Sequence, residues 1–211
     1  MNWNALLFLG AYHGINPGMG WLFAVALGMQ QGSARGVWRA LPPIALGHMA
    51  SVGAVLLSAG LAQMVLPLAM LKLIVASVLV AFGLYRLWRH RHPRFGGMQV
   101  GFRDLTVWSF LMASAHGAGL MVLPFVINLS NHVMAADKGH AHHIAGSCAG
   151  IGWTGAMALG VHSLAYLAVL GFVACVVYWN LGLSLLRSAW FNLDWLWAGA
   201  LVATGTVILL S

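Results

Sequence analysis

The chain has 211 residues, of which 61% are hydrophobic and only 6% are charged. Soluble domains carry about a quarter charged residues, so this composition excludes an ordinary water-soluble fold and predicts an all-α, polytopic membrane protein. The formal net charge of +7 would favour nucleic acid in a soluble protein. Here the arginines lie in short loops between apolar segments, where basic residues set membrane orientation. We therefore expect the lipid bilayer as a partner and no nucleic acid.

Apolar segments separated by polar breaks predict about six transmembrane helices in a single membrane domain that covers residues 1–211. No basic segment precedes the first apolar segment, so we interpret that segment as a retained helix rather than a signal peptide. A first three-helix half, 1–88, is followed by a basic inner loop, 89–104, and a second half, 105–211. The approximate bounds of the six helices are 5–30, 39–62, 65–87, 105–129, 149–178 and 190–210.

The arginines predict the orientation of these helices. All eight lie in or beside the first, third and fifth loops, whereas the two lysines lie on the other side. By the positive-inside rule the arginine side faces the cytoplasm and both termini face outward. We expect the inner (plasma) membrane of a bacterium, and the sequence leaves open a homo-oligomer or a larger membrane complex.

Two short motifs recur in the same order in the two halves. His13-Gly14 in the first segment matches His116-Gly117 in the fourth, and an Ala-Leu-Gly sequence precedes both His48 in the second segment and His162 in the fifth. Because each half has three helices, the two copies would cross the bilayer in opposite directions. The pattern predicts a 3+3 inverted repeat, which is typical of alternating-access transporters with a substrate site near the midplane.

The four repeated histidines, His13, His48, His116 and His162, each lie well inside a predicted span. Ionisable side chains are costly there and usually face a cavity or a partner. Imidazole binds zinc, nickel, cobalt and copper, so four symmetry-related histidines indicate a transition-metal site. The alternative is that each histidine hydrogen-bonds a neighbouring helix and only holds the bundle together.

A proline and several glycines interrupt the first predicted helix around Asn16 and Met19. A broken helix exposes backbone carbonyls at membrane depth, where transporters coordinate ions. Asn16 offers an amide oxygen and Met19 a soft thioether, which makes both candidate metal ligands. The glycines at 10, 14 and 18 are equally consistent with a small-residue surface for close helix packing.

A histidine-rich segment, 131–143, follows the fourth predicted helix on the outer side. It contains His140, His142 and His143, together with one aspartate and one methionine. Short histidine-rich tracts often capture metal ions, so these three histidines are further candidate ligands. The competing interpretation is a loop that is merely polar.

The motif His13-x-x-x-Pro17-Gly18, together with Ala45-Leu46-Gly47-His48 and Ser51, resembles the corresponding helices of nickel and cobalt efflux permeases in the lysine-exporter superfamily. That resemblance implies a six-helix, three-plus-three architecture, often with a histidine-rich loop. It also implies that His13 and His48 belong to a metal pathway.

These observations predict a secondary transporter or permease for a transition-metal ion (nickel, cobalt, copper or zinc) rather than an enzyme. The sequence contains no phosphate-binding loop, and its three aspartates lie in loops or at span edges, which disfavours coupling through a buried carboxylate. Two alternatives remain open. One is an accessory or structural subunit that transports nothing, and the other is an intramembrane metalloenzyme.

Overall fold

The computed structural model describes residues 3–63, 66–88, 101–136, 145–181 and 193–210. These residues form helices and no strand, which confirms the all-α prediction. A π-helical turn, Val177–Leu181, directly follows the helix Ala145–Val176. The α-helices are α1 Trp3–Ile15, α2 Trp21–Gln30, α3 Ala34–Gln63, α4 Leu68–Trp88, α5 Phe102–Ala115, α6 Ala118–Ala136, α7 Ala145–Val176 and α8 Leu193–Leu210.

The first predicted span is broken between α1 and α2, as its proline and glycines indicated. The break is a short 3-10 helix, Pro17–Met19, whose N-terminus is capped by Asn16 Oδ1 accepting the Gly18 N–H at 2.9 Å. Gly20 follows with φ 126°, a conformation that side chains with a Cβ rarely adopt. The indole N–H of Trp21 donates to the Ile15 carbonyl at 2.9 Å and so satisfies a carbonyl at the end of α1.

The fourth predicted span, 105–129, is also broken. Between α5 and α6 the chain bends by 62°. Gly117, at the bend, has φ 69°, which glycine adopts at little cost. The bend begins at His116, which caps the C-terminus of α5.

Within the described ranges, two helical stretches are long and apolar enough to cross a membrane, Ala34–Ala62 and Gly152–Asn180, and a third if the bent pair α5 and α6 is one span. The described residues are therefore helical with two or three candidate spans, and the count of six stays a prediction. Large apolar side chains such as Leu57 (72% exposed) and Phe172 (70% exposed) cover the outside of these two helices. Such a surface suits contact with lipid rather than water.

Helix α7 packs in parallel along α1. Gly10 approaches the His162 carbonyl, and four residues later Gly14 lies against the Tyr166 carbonyl, with an added Cβ 2.6 Å from that oxygen. Both helices thus advance in the same direction along their contact. Because these glycines have no Cβ, α1 can come this close to α7. The prediction that they form a small-residue surface for close helix packing is therefore confirmed for Gly10 and Gly14.

Helix α5 packs in parallel along α3 in the same way. The Ser109 hydroxyl donates to the Ile44 carbonyl at 2.7 Å, and further along both helices the hydroxyls of Ser51 and Ser114 are 2.8 Å apart. Gly47, which lies between Ile44 and Ser51 in α3, approaches the α5 backbone at the Thr106 carbonyl and the Phe110 amide.

Helices α3 and α7 run antiparallel to one another. Leu41 lies beside Gly171 at one end of the contact, and Gly53 lies beside Leu159 at the other. Because α1 is parallel to α7 and α5 is parallel to α3, α1 and α5 run in opposite directions. Helices α4 and α8 pack together at the side, where Gly205 approaches Ala76 and Val80.

Candidate intramembrane histidine site

Three of the four predicted histidines converge from three helices. His13 of α1, His48 of α3 and His162 of α7 have ring centroids 5.1 to 5.7 Å apart. All three side chains are 0% exposed. His48 is the midpoint of the candidate span Ala34–Ala62, so the cluster lies where that helix would be deepest in a bilayer.

His48 and His162 face each other through their Nε2 atoms, which are 3.3 Å apart. Their ring centroids are 5.4 Å apart and their planes differ by 20°, so the two nitrogens lie between the rings and point toward one another. One Nε2 carries the proton and donates, while the other accepts. The Nδ1 atom of His48 is buried and has no hydrogen-bond partner among the described residues.

His13 and His116 share a second arrangement. Nδ1 of His13 lies 2.8 Å from the Leu9 carbonyl, and Nδ1 of His116 lies 2.8 Å from the Met112 carbonyl, four residues earlier in each case. A carbonyl only accepts, so Nδ1 donates in both rings and Nε2 of the neutral ring carries the lone pair. Histidines that bind metals are commonly oriented in this way, with the second ring nitrogen donating to a carbonyl.

His116 lies at the break in the first span rather than in the three-ring cluster. A Cβ placed on Gly18 would be 3.7 Å from His116 Nε2 and 3.3 Å from Asn16 Oδ1. His116 is 2% exposed, and Gly18, which lies beside its ring, follows His13 by five residues in the chain. The four histidines therefore form one buried polar region that extends from the ring cluster to the broken helix.

Asn16 and Met19 lie at the break, and the structure gives both a structural use. The Asn16 side-chain oxygen caps the 3-10 helix, while its Nδ2 is buried without a hydrogen-bond partner among the described residues. Met19 is 2% exposed and belongs to the apolar cluster that includes Trp21 and Ile44. The thioether predicted as a soft ligand is thus part of a hydrophobic core.

In the part of the chain that the structure describes, no three His, Cys, Asp or Glu side chains are arranged to hold a metal ion. The geometry gives the reason: Nε2 of His48 and Nε2 of His162 point at each other instead of toward a common point with His13. A three-nitrogen site requires both rings to rotate. The predicted ligands His140, His142 and His143 lie outside the described residues.

Tyr166 is a residue of the site that the sequence did not indicate. Its ring stacks on His48 with centroids 3.9 Å apart and planes 15° from parallel. Its hydroxyl donates to the Met19 carbonyl at 2.6 Å. Tyr166 follows His162 by one helical turn, so helical spacing could have placed the two on one face. It ties the broken segment to the histidine cluster.

Replacing Tyr166 with phenylalanine is expected to lower stability by about 1–3 kcal/mol, because the Met19 carbonyl loses its hydroxyl donor in a buried place while the ring stack is kept. Thermal unfolding in detergent, followed by intrinsic fluorescence, measures the change. Tyr178→Phe is the matched control, since Tyr178 is only partly buried. Equal transition temperatures for the two variants would contradict the role of this hydrogen bond.

No protein-family model, curated protein or solved structure matches this chain.

Proposed function

We propose that this chain is a membrane permease for a transition-metal ion, with His13, His48, His116 and His162 along the pathway. The observation that carries the proposal is the convergence of three fully buried imidazoles from three different helices, beside a broken helix. Ionisable side chains are rare inside membrane helices and usually mark the route of an ion or proton.

The second part of the proposal is that the chain forms six spans as a 3+3 inverted repeat. The packing directions support it, because α1 and α5 run in opposite directions and α3 and α7 do too. The first helix of each half is broken at or just after a His-Gly pair, and a second helix follows the break. Each also packs in parallel with the long helix of the other half, α1 with α7 and α5 with α3.

Two arginines of the described residues support the proposed orientation. Arg35 lies at the start of α3 and Arg103 at the start of α5. Since these two helices run in parallel, the two arginines lie at the same end of the bundle. The positive-inside rule then places that end in the cytoplasm.

In the proposed permease, His13 and His116 occupy equivalent positions in the two halves. Each ring donates from Nδ1 to the carbonyl one turn before it, which fixes the tautomer in which Nε2 carries the lone pair. His13 lies just before the break in the first span, and His116 lies at the break in the fourth. Rocking of one half against the other would expose first one histidine and then the other, which is alternating access.

A second candidate function is an accessory subunit that transports nothing. The hydrogen bond between His48 and His162 favours it, because this bond joins α3 to α7 as a structural contact would. The two functions differ in what the loss of a ring does. A permease loses transport, whereas a structural subunit loses folding or assembly.

The test is metal flux into liposomes that contain a metal-sensitive fluorophore, with nickel, cobalt, zinc and copper supplied in turn. We expect the wild-type protein to transport at least one of these ions and His48→Ala to abolish that flux in a protein that still inserts. Met49→Ala is the matched control, because Met49 is the next residue of α3 and is 38% exposed. Folded wild-type protein without flux of any of the four ions would favour the accessory function.

A further inference from the structure

We propose that the His48–His162 pair binds a monovalent soft ion, Cu(I) or its analogue Ag(I), in linear coordination by two imidazole nitrogens. This inference rests on the proposed function and names the class of ion for that site. Three observations support it. The Nε2 lone-pair positions of the two rings face each other, no charged ligand of the described residues lies beside them, and few ligands are available.

The first step is the direction of the lone pairs. The two Nε2 atoms face each other nearly along one line. An ion on that line needs nitrogens about 4 Å apart, twice a metal–nitrogen bond of about 2 Å. The pair must therefore open by only about 0.7 Å from its 3.3 Å separation.

A tetrahedral ion is a poorer fit for the same two rings. Its bonds need nitrogens about 3.3 Å apart, which matches the observed distance, but their lone pairs must converge on a point beside the line. Both rings would have to rotate, and Tyr166, stacked on the face of His48, restricts that ring. The linear ion needs only separation of the rings.

The second step is charge. No carboxylate or thiolate of the described residues is buried beside the pair: Asp104 is exposed at the start of α5, and Cys175 lies three turns beyond His162 along α7. With neutral ligands the whole ionic charge enters a medium of low dielectric constant. The Born cost grows with the square of the charge, so a divalent ion pays about four times as much as a monovalent one.

The third step is the number of ligands. Zinc in proteins usually takes four ligands, and the described residues offer no group of three that could hold a metal ion. A closed-shell monovalent ion accepts two ligands in a line. Both rings then stay neutral: the proton shared between the Nε2 atoms moves to Nδ1 of the ring that carried it, so no proton is released.

The experiment uses Ag(I), supplied as the nitrate in chloride-free buffer, because silver does not change its oxidation state under these conditions. The full chain is purified in detergent with His140, His142 and His143 replaced by serine, which removes the histidines of the outer loop as competing ligands. Cys148 and Cys175 are also replaced by serine, because a thiolate binds a soft monovalent ion more tightly than imidazole does. Bound silver is measured by mass spectrometry after desalting, and its coordination by X-ray absorption. We expect one silver ion per chain with two nitrogen neighbours.

Two variants at His48 make the result specific. His48→Ala and His48→Gln should each weaken silver binding by about tenfold or more. The glutamine variant is included because its amide keeps a hydrogen-bonding group toward His162 if the alanine variant fails to fold. Met49→Ala should bind as the parent does. Silver binding that is unchanged in both His48 variants would overturn the inference.

The outcomes also separate this inference from the proposed function. If zinc, nickel or cobalt binds more tightly than silver and this binding requires His48 and His162, the assignment of a monovalent ion is overturned, while the proposed permease function stands. A parent protein that binds none of these ions and carries none across liposomes would overturn both.

Discussion

Alanine at His13 or at His116 is expected to abolish metal flux while the protein remains folded in the membrane. Both rings are buried, at 0% and 2% exposure, and both direct Nε2 into the polar region because Nδ1 is engaged by a carbonyl one turn earlier. If the two histidines act in succession along one route, loss of either interrupts it.

The backbone should tolerate both changes. The carbonyl that accepts from His116 Nδ1 also accepts the His116 backbone N–H at 2.9 Å, and the same pattern is expected for Leu9 inside α1. No buried carbonyl is therefore left without a donor when the ring is removed. The remaining loss in the free energy of unfolding comes from the packing of one side chain, and most proteins stay folded after such a substitution.

Flux in proteoliposomes gives the functional result, and size-exclusion chromatography with thermal unfolding gives the structural one. Phe8→Ala in α1 and Leu111→Ala in α5 are the controls, since these side chains are 74% and 46% exposed on the same two helices. The double variant should be no worse than either single one, because residues that act in one unit are not additive. Normal flux in either single variant would remove that histidine from the pathway.

The broad features of the fold could be predicted because they depend on local sequence. A composition that is 61% apolar required membrane helices, and the predicted segment 39–62 agrees with α3, Ala34–Gln63. The break after Ile15 could also be predicted, since Pro17 has no backbone N–H and its neighbours include glycine. The burial of all four repeated histidines is likewise confirmed.

What the sequence could not predict depends on contacts between distant helices. The head-on pair of His48 and His162 joins residues 114 positions apart, and no local pattern specifies its geometry. Met19 was predicted as a ligand from its chemistry, but its neighbours Trp21 and Ile44 place it in an apolar cluster. The six-span count remains a prediction, because the described helices provide two or three candidate spans.

The largest loss of stability is expected from alanine at Gly10 or Gly47. Alanine normally stabilises a helix by about 1 kcal/mol relative to glycine. Here the new Cβ would collide with backbone of a neighbouring helix, the His162 carbonyl for Gly10 and the Thr106 carbonyl for Gly47. Backbone cannot rotate away as a flexible side chain can, so the helices must separate, at a cost of about 1–3 kcal/mol or more.

Gly160→Ala is the matched control, because Gly160 occupies the place of Gly47 in the repeated Ala-Leu-Gly motif, yet a Cβ there meets nothing within 4 Å. Thermal unfolding in detergent should therefore show a lower transition for Gly10→Ala and Gly47→Ala and an equal or higher one for Gly160→Ala. Gly10 packs against His162, and Gly47 precedes His48 in the chain, so separation of either helix pair also displaces a ring of the cluster. Flux should then fall with stability at Gly10 and Gly47, and a stabilised Gly10→Ala protein would show that α1 and α7 do not pack as closely as described.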